Sequence, residues 1–274
     1  MNRVFVIILL FITISCNTTR LPSEKFSQYE YFKSYSIENG KLKIEIQNPL
    51  NCPLRVWMFN NDVELQNRFN RVNPIELKSK SDTIIIFSEV KKIKNEITFS
   101  SRLGSLSKKI EQIKLELPFP INKEYKIIQG NNTNYTHSSD WSRYALDFDL
   151  KIKDTICSAT NGFIVGVVDK YKFGGKGDKW KLYGNYVTIY EPKSGLFTQY
   201  VHLVKNGSLV KVGDEVVSGQ PIALSGRTGQ TDIEHLHFSC LIPVNRNEGL
   251  KSIPFEFKEG YKSTELKKND IVRK

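Results

Sequence analysis

The sequence predicts an all-β protein in two parts, a β-sandwich-like module followed by a second antiparallel β domain. Three observations carry this. Apolar and polar residues alternate with period two in both halves, as over residues 41–47 and 144–150, and that is the signature of a half-buried strand. No stretch of the first half holds a convincing helical period. Turn-forming Asn, Pro and Gly separate the alternating runs at short intervals. With 274 residues, 39% hydrophobic and 25% charged, the composition is that of a folded chain and excludes a disordered or collagen-like one. Lys+Arg 40 against Asp+Glu 29 gives a net charge of +11. The basic residues are evenly spread, which names no nucleic acid and suits anionic partners in general.

The elements follow in order. Residues 1–15, MNRVFVIILLFITIS, have a basic start, a short apolar core and a small residue before Cys16, the layout of an export signal. The apolar core is short for a spanning helix. The segment resembles a bacterial lipoprotein signal, although Thr13 stands where Leu is usual. That resemblance implies cleavage before Cys16, lipidation of Cys16, and an envelope protein held on a membrane, periplasm-facing or at the surface. Residues 16–40 read as a polar tether. Cys52, Cys157 and Cys240 remain, without the close spacing of a zinc or redox pair. They read as buried small hydrophobes.

Residues 41–118 form the sandwich-like module. Leu42, Ile44 and Ile46 share one strand face, and Asn48-Pro49-Leu50-Asn51 is a turn. Further strands are expected over residues 56–59, 83–87, 96–100 and around Ile113, Leu115 and Leu117. The module holds no His and few Gly, so no chemistry concentrates there. Pro118-Phe119-Pro120 marks the boundary. The second domain covers residues 119–262, with a polar tail over 263–274. Strands are expected at 144–150, 163–168, 186–190, 198–203, 221–225 and 237–241, with a long Gly-, Lys- and aromatic-rich loop from 171 to 180.

All four histidines lie between residues 137 and 237. In His235-Leu236-His237 the two imidazoles share a strand face, about 7 Å apart at their roots. Two such rings can converge on one centre, with a carboxylate as a frequent partner at zinc. Tyr200-Val201-His202-Leu203 and Tyr144-Ala145-Leu146-Asp147-Phe148 supply a third imidazole and a carboxylate from strand segments. With these, Ala159-Thr160-Asn161-Gly162, Asn185-Tyr186-Val187, Gly219-Gln220-Pro221 and Gly226-Arg227-Thr228-Gly229 occur in sequence order. From about residue 130 to 241 the chain resembles the lysostaphin-type (LytM-like) zinc endopeptidases of peptidoglycan. The resemblance implies the barrel-sandwich hybrid, or duplicated hybrid motif, fold. It also implies one Zn2+ per chain, peptidoglycan peptides as substrate, and metal-assisted amide hydrolysis during wall remodelling. Asp147 and His237 would be zinc ligands, with His235 and His202 beside the open position as base and as stabiliser of the tetrahedral intermediate.

The chain departs from the family in one telling place. The first ligand is normally a His four residues before the Asp, and here that position is Arg143. Arginine stays protonated and cannot ligate zinc. Either His137, ten residues before Asp147, takes the place, or the domain is a zinc-free relative that binds wall or regulates another hydrolase. The Gly-Pro often found before H-x-H is replaced by Ile233-Glu234, which removes no ligand.

Overall fold

The computed structural model describes residues 21–134 and 136–274. Cys16 and the expected signal lie outside the described residues.

The second domain is built on a nine-stranded antiparallel sheet. In spatial order it runs Glu215–Val216, Gly162–Val168, Tyr186–Glu191, Leu196–Val201, Leu236–Pro243, Leu146–Phe148, Glu124–Gln129 and Ile271–Arg273, with Leu250–Ser252 paired to the end of Leu236–Pro243. A three-stranded sheet of Thr155–Cys157, Pro221–Ser225 and Leu203–Ser208 shares its core. The sheets do not close into a barrel.

Central strands of the large sheet are apolar on both faces, and successive residues enter different cores. Ile164, Ile189, Leu196 and Cys240 pack toward the small sheet. Their neighbours Val165, Tyr190, Phe197 and Leu241 pack against the N-terminal module. A period of two alone produces this division. The module covers the far end of the same sheet face that carries His237, since residues 237, 239 and 241 of one strand point the same way.

The module itself has two three-stranded sheets: Phe32–Glu38, Lys41–Asn48 and Ser81–Phe87, then Ile75–Leu77, Leu54–Phe59 and Thr98–Leu103. Leu42, Ile44 and Ile46 all point into the core between them. One helix, Val63–Asn70, was not signalled by periodicity. It is only eight residues long and buries only Leu65 and Phe69, and Asp62 starts it by accepting from the backbone N–H groups of Glu64 and Leu65. Cys52, Cys157 and Cys240 are free and buried, as small hydrophobes.

Arg55 joins module to sheet. It is 0% exposed. Its guanidinium donates to the carbonyls of Gly104, Val244, Leu103 and Gly249, each at 2.9 Å. The last two carbonyls of Val244 and Gly249 follow the strand that carries His237, so one buried cation ties the module to the strand bearing the site.

Two sequence expectations need correction. The tether expected over 16–40 is folded along much of its described length. Val167 donates to the Gln28 carbonyl at 2.8 Å, Phe26 donates to the Tyr171 hydroxyl at 3.0 Å, and Phe32–Glu38 is an edge strand. Its polar, exposed outer residues disguise it as linker. The polar tail expected over 263–274 is also integrated: Leu266 and Val272 enter the core, and Ile271–Arg273 pairs with Glu124–Gln129. Two buried apolar residues among many charges are too few to reveal a strand by alternation.

Candidate metal and catalytic site

Strand registers build the site. Val201 stands opposite His237, His237 opposite Asp147, and Asp147 opposite Gln129, so a single row crosses four strands. Leu146, Phe148, Leu236 and Phe238 anchor the two middle strands in the core. Alternation therefore turns Asp147 and His237 out on the other face. His137 arrives from the loop after Glu124–Gln129 and is fully buried.

The three residues converge on one point. His137 Nε2 is 3.2 Å from Asp147 Oδ1 and 3.2 Å from His237 Nδ1, and His237 Nδ1 is 2.8 Å from the same Oδ1. Ligand atoms at the corners of a zinc tetrahedron stand about 3.3 Å apart, given bonds of about 2.0–2.1 Å. The triangle is close to that size.

Its protonation also points to a cation. A carbonyl can only accept, so the 2.8 Å contact between His137 Nδ1 and the Gly130 carbonyl places a proton on Nδ1, and in the neutral ring Nε2 then carries the lone pair. His237 Nε2 lies 3.3 Å from the Ser239 hydroxyl, which can hold that nitrogen while Nδ1 faces the triangle. Acceptor atoms this close repel unless a proton or a metal ion sits among them. The second contact of each ring is the kind that orients a metal-ligating imidazole.

The remaining histidines flank the triangle. His235 adjoins the strand through a bridge to Gly226, and its Nε2 lies 3.7 Å from Asp147 Oδ2. Its Nδ1 is 3.2 Å from the Ile233 carbonyl, so Nε2 is the free acceptor. His202 sits where the expected strand 198–203 breaks into two, in a left-handed conformation at φ 70°. Its Nδ1–H donates to the Thr228 carbonyl at 2.6 Å, and its ring lies 4.5 Å from that of His235, centre to centre.

Burial opposes charge on Asp147, yet His137, His235 and His237 around it hold the carboxyl well below the usual carboxylate range. Burial lowers His202 well below the usual imidazole range, and the neighbouring His235 and His237 push it the same way. His202 is therefore neutral near pH 7. Burial lowers His237 too, against the attraction of Asp147. For His137 burial also favours the neutral ring, but the Asp147 carboxylate and its hydrogen bond raise it overall.

All five residues singled out at this centre by sequence, His137, Asp147, His202, His235 and His237, are thus brought together. Arg143 is not among them. Its side chain is 47% exposed and turns toward Ser138 and Asp140. The long 171–180 loop is docked, with Gly174–Gly175 paired to Gly229–Gln230 and Trp180 buried. Sequence reasoning gave no role to Gly130, Asn185, Thr228 or Ser239, whose groups hold the histidine rings or their backbone. Asn185 and Thr228 stand in two of the segments that carry the family resemblance, but nothing in those segments points to their contacts with His202 or Leu203.

Residues 142–248 match the model of Peptidase family M23; His137 lies just before that stretch. Over 138 residues the chain is 34% identical to the peptidoglycan DD-endopeptidase ShyB of Vibrio cholerae, covering 49% of this chain and 29% of that protein. It is 33% identical over 122 residues to lysostaphin of Staphylococcus simulans, covering 43% of this chain and 22% of that one. The matched parts thus span less than a third of these curated relatives. Among solved structures, the catalytic domain of lysostaphin from Staphylococcus simulans aligns with 24% identity and TM-score 0.34, covering 48% of this chain and 88% of that one. A zinc-containing peptidase from Vibrio cholerae aligns with 16% identity and TM-score 0.38, covering 87% and 86%.

Proposed function

We propose, from the premise that this chain carries a Peptidase M23 domain homologous to the LytM/lysostaphin-type peptidoglycan endopeptidases, that it is a zinc-dependent endopeptidase cutting peptide bonds of peptidoglycan in the cell envelope. The observation that carries the reading is the triangle of His137 Nε2, Asp147 Oδ1 and His237 Nδ1, flanked by two imidazoles with free Nε2 lone pairs. His137 would replace the usual first ligand, and the outward turn of Arg143 weighs against the zinc-free alternative.

His137, Asp147 and His237 would hold the ion, with His202 and His235 beside the triangle they form. Zinc bound there would lower the pKa of a water to near 7 and polarise the scissile carbonyl. His235 serves as the base. Its Nε2, 3.7 Å from Asp147 Oδ2, accepts the proton of the attacking water. The same proton then passes to the leaving amine. His202 presents an acceptor, not a donor, because its Nδ1–H is committed to Thr228. Its part is to hold the attacking water or the scissile N–H in line. This revises the stabilising role expected from sequence, which needs a donor toward the oxyanion.

The mature charge of 39 − 29 = +10, after loss of Arg3 with residues 1–15, suits an anionic wall polymer. Lipidation at Cys16 would confine hydrolysis to wall near the membrane, in remodelling or division. The test is digestion of purified peptidoglycan by the zinc-supplied chain, with products separated by mass. New peptide termini that vanish with a chelator and return with zinc support the reading. Unchanged peptidoglycan, with zinc bound at one per chain, overturns it.

A further inference from the structure

His202 stands at φ 70° beside the triangle of ligand atoms, a left-handed conformation unusual for a residue with a side chain. The left-handed conformation disfavours residues with a Cβ, so the surroundings must enforce it. They do so through Leu203, the residue that follows. Leu203 N–H donates to the Asn185 carbonyl at 3.2 Å. The Leu203 carbonyl accepts from Thr228 Oγ1 at 2.8 Å and from Asn185 Nδ2 at 3.2 Å. Thr228 Oγ1 in turn accepts from the Asn185 backbone N–H at 2.9 Å. The Thr228 carbonyl takes the His202 ring proton.

Asn185 and Thr228 are 0% and 1% exposed, and every polar atom of their side chains has a use. Asn185 Oδ1 accepts from Tyr171 N–H at 2.9 Å, and its Nδ2 gives its other proton to the Tyr171 carbonyl at 2.8 Å. Buried amides and hydroxyls persist where their hydrogen bonds are complete. Here the completed set surrounds Leu203, holding the N–H of its peptide with His202 and the carbonyl of its peptide with Val204. Neither residue touches the triangle of ligand atoms.

We propose that Asn185 and Thr228 are positioning residues for His202: they fix its left-handed backbone and, through the Thr228 carbonyl, the tautomer that presents Nε2 as an acceptor to the reacting groups. Their action is indirect, because their hydrogen bonds run to the His202 ring and to the backbone of Leu203 and Tyr171. The consequence for turnover rests on the endopeptidase reading above. The tautomer does not.

The test has two arms on the full-length chain. The first is a long-range 1H–15N spectrum of the histidine rings in the zinc-supplied wild type and in Thr228→Val and Thr228→Ser. His202 is expected protonated at Nδ1 in the wild type and in Thr228→Ser, with an Nε2-protonated population appearing in Thr228→Val. The second is steady-state hydrolysis of a soluble peptidoglycan peptide. Thr228→Val should lower kcat by about ten- to a hundred-fold, with KM within twofold and zinc content unchanged. Thr228→Ser, which keeps the hydroxyl, should restore kcat to within about threefold. A wild-type His202 protonated at Nε2 overturns the proposal even if Thr228→Val does not fold. So does a Thr228→Val enzyme with wild-type kcat, or equal loss in the Val and Ser variants. If the wild type cuts no peptide, the endopeptidase reading fails, and the ring spectrum still decides the positioning.

Discussion

Replacing Arg55 by Met should destabilise the protein by about 3–5 kcal/mol, the range for removing one partner from a buried charged contact. The side chain is fully buried and its guanidinium meets four backbone carbonyls at 2.9 Å. Each carbonyl left without a donor costs ~1–3 kcal/mol, and part of that sum returns because a guanidinium no longer has to be desolvated. Burial lowers the pKa of Arg55 from its usual value, but an arginine remains charged. The assay is equilibrium unfolding in urea followed by tryptophan fluorescence. With a slope of about 2–3 kcal/mol/M for a chain of this size, the midpoint should fall by roughly 1–2 M. Arg55→Lys should recover little, since a compact ammonium cannot span four carbonyls placed around a planar fork. A Met variant whose midpoint lies within about 0.3 M of the wild type, at equal slope, would refute the view that Arg55 fastens the module to the sheet.

Other outcomes are expected from the same contacts. His237→Ala should lose both zinc and peptidoglycan hydrolysis, whereas His202→Ala should keep the metal and lose at least about a hundred-fold in rate; metal analysis beside the digestion assay separates them. Glu116 is lowered to about 2: burial pushes it up, but its bonds from Lys274 and Lys258 prevail. Because the folded value is the lower one, its contribution is complete above its ordinary 4.5 and is lost as pH falls from there toward 2. Discounted for partial solvent access, it amounts to ~1–2 kcal/mol, and Glu116→Gln should flatten the stability profile in that window. Gly229→Ala should cost about 2 kcal/mol or more in thermal unfolding. The position has φ 82° and an added Cβ would lie 2.6 Å from Gly184 Cα.

Much of the candidate site is legible in the sequence because the large sheet obeys a period of two. His235-Leu236-His237 and Leu146-Asp147-Phe148 each place polar groups on one face and core residues on the other, and the strands pair in register. His137 could be nominated only by resemblance and by the scarcity of histidines, since a loop brings it home and loops have no period. Asn185 and Thr228 were legible only as members of two segments that carry the family resemblance. Their task depends on meeting across 43 positions, which no local pattern encodes. In the first module, Leu42, Ile44 and Ile46 reveal a strand plainly, whereas Phe32–Glu38 does not. Its burial is slight along the whole strand, and hydrogen bonds to Lys41–Asn48 define it. The helix Val63–Asn70 rests on a cap and two buried side chains, too little for a periodic signal.

Zinc content tests the central claim most directly. The purified wild-type chain, His137→Ala and Arg143→Ala would be supplied with zinc, dialysed and measured for metal and protein. About one zinc in the wild type and in Arg143→Ala, and none in His137→Ala, is the predicted result, because on the proposed reading the ion would be held by His137, Asp147 and His237, and Arg143 faces away. A wild type that takes up no zinc, or a His137→Ala chain that holds it as tightly, would contradict the account.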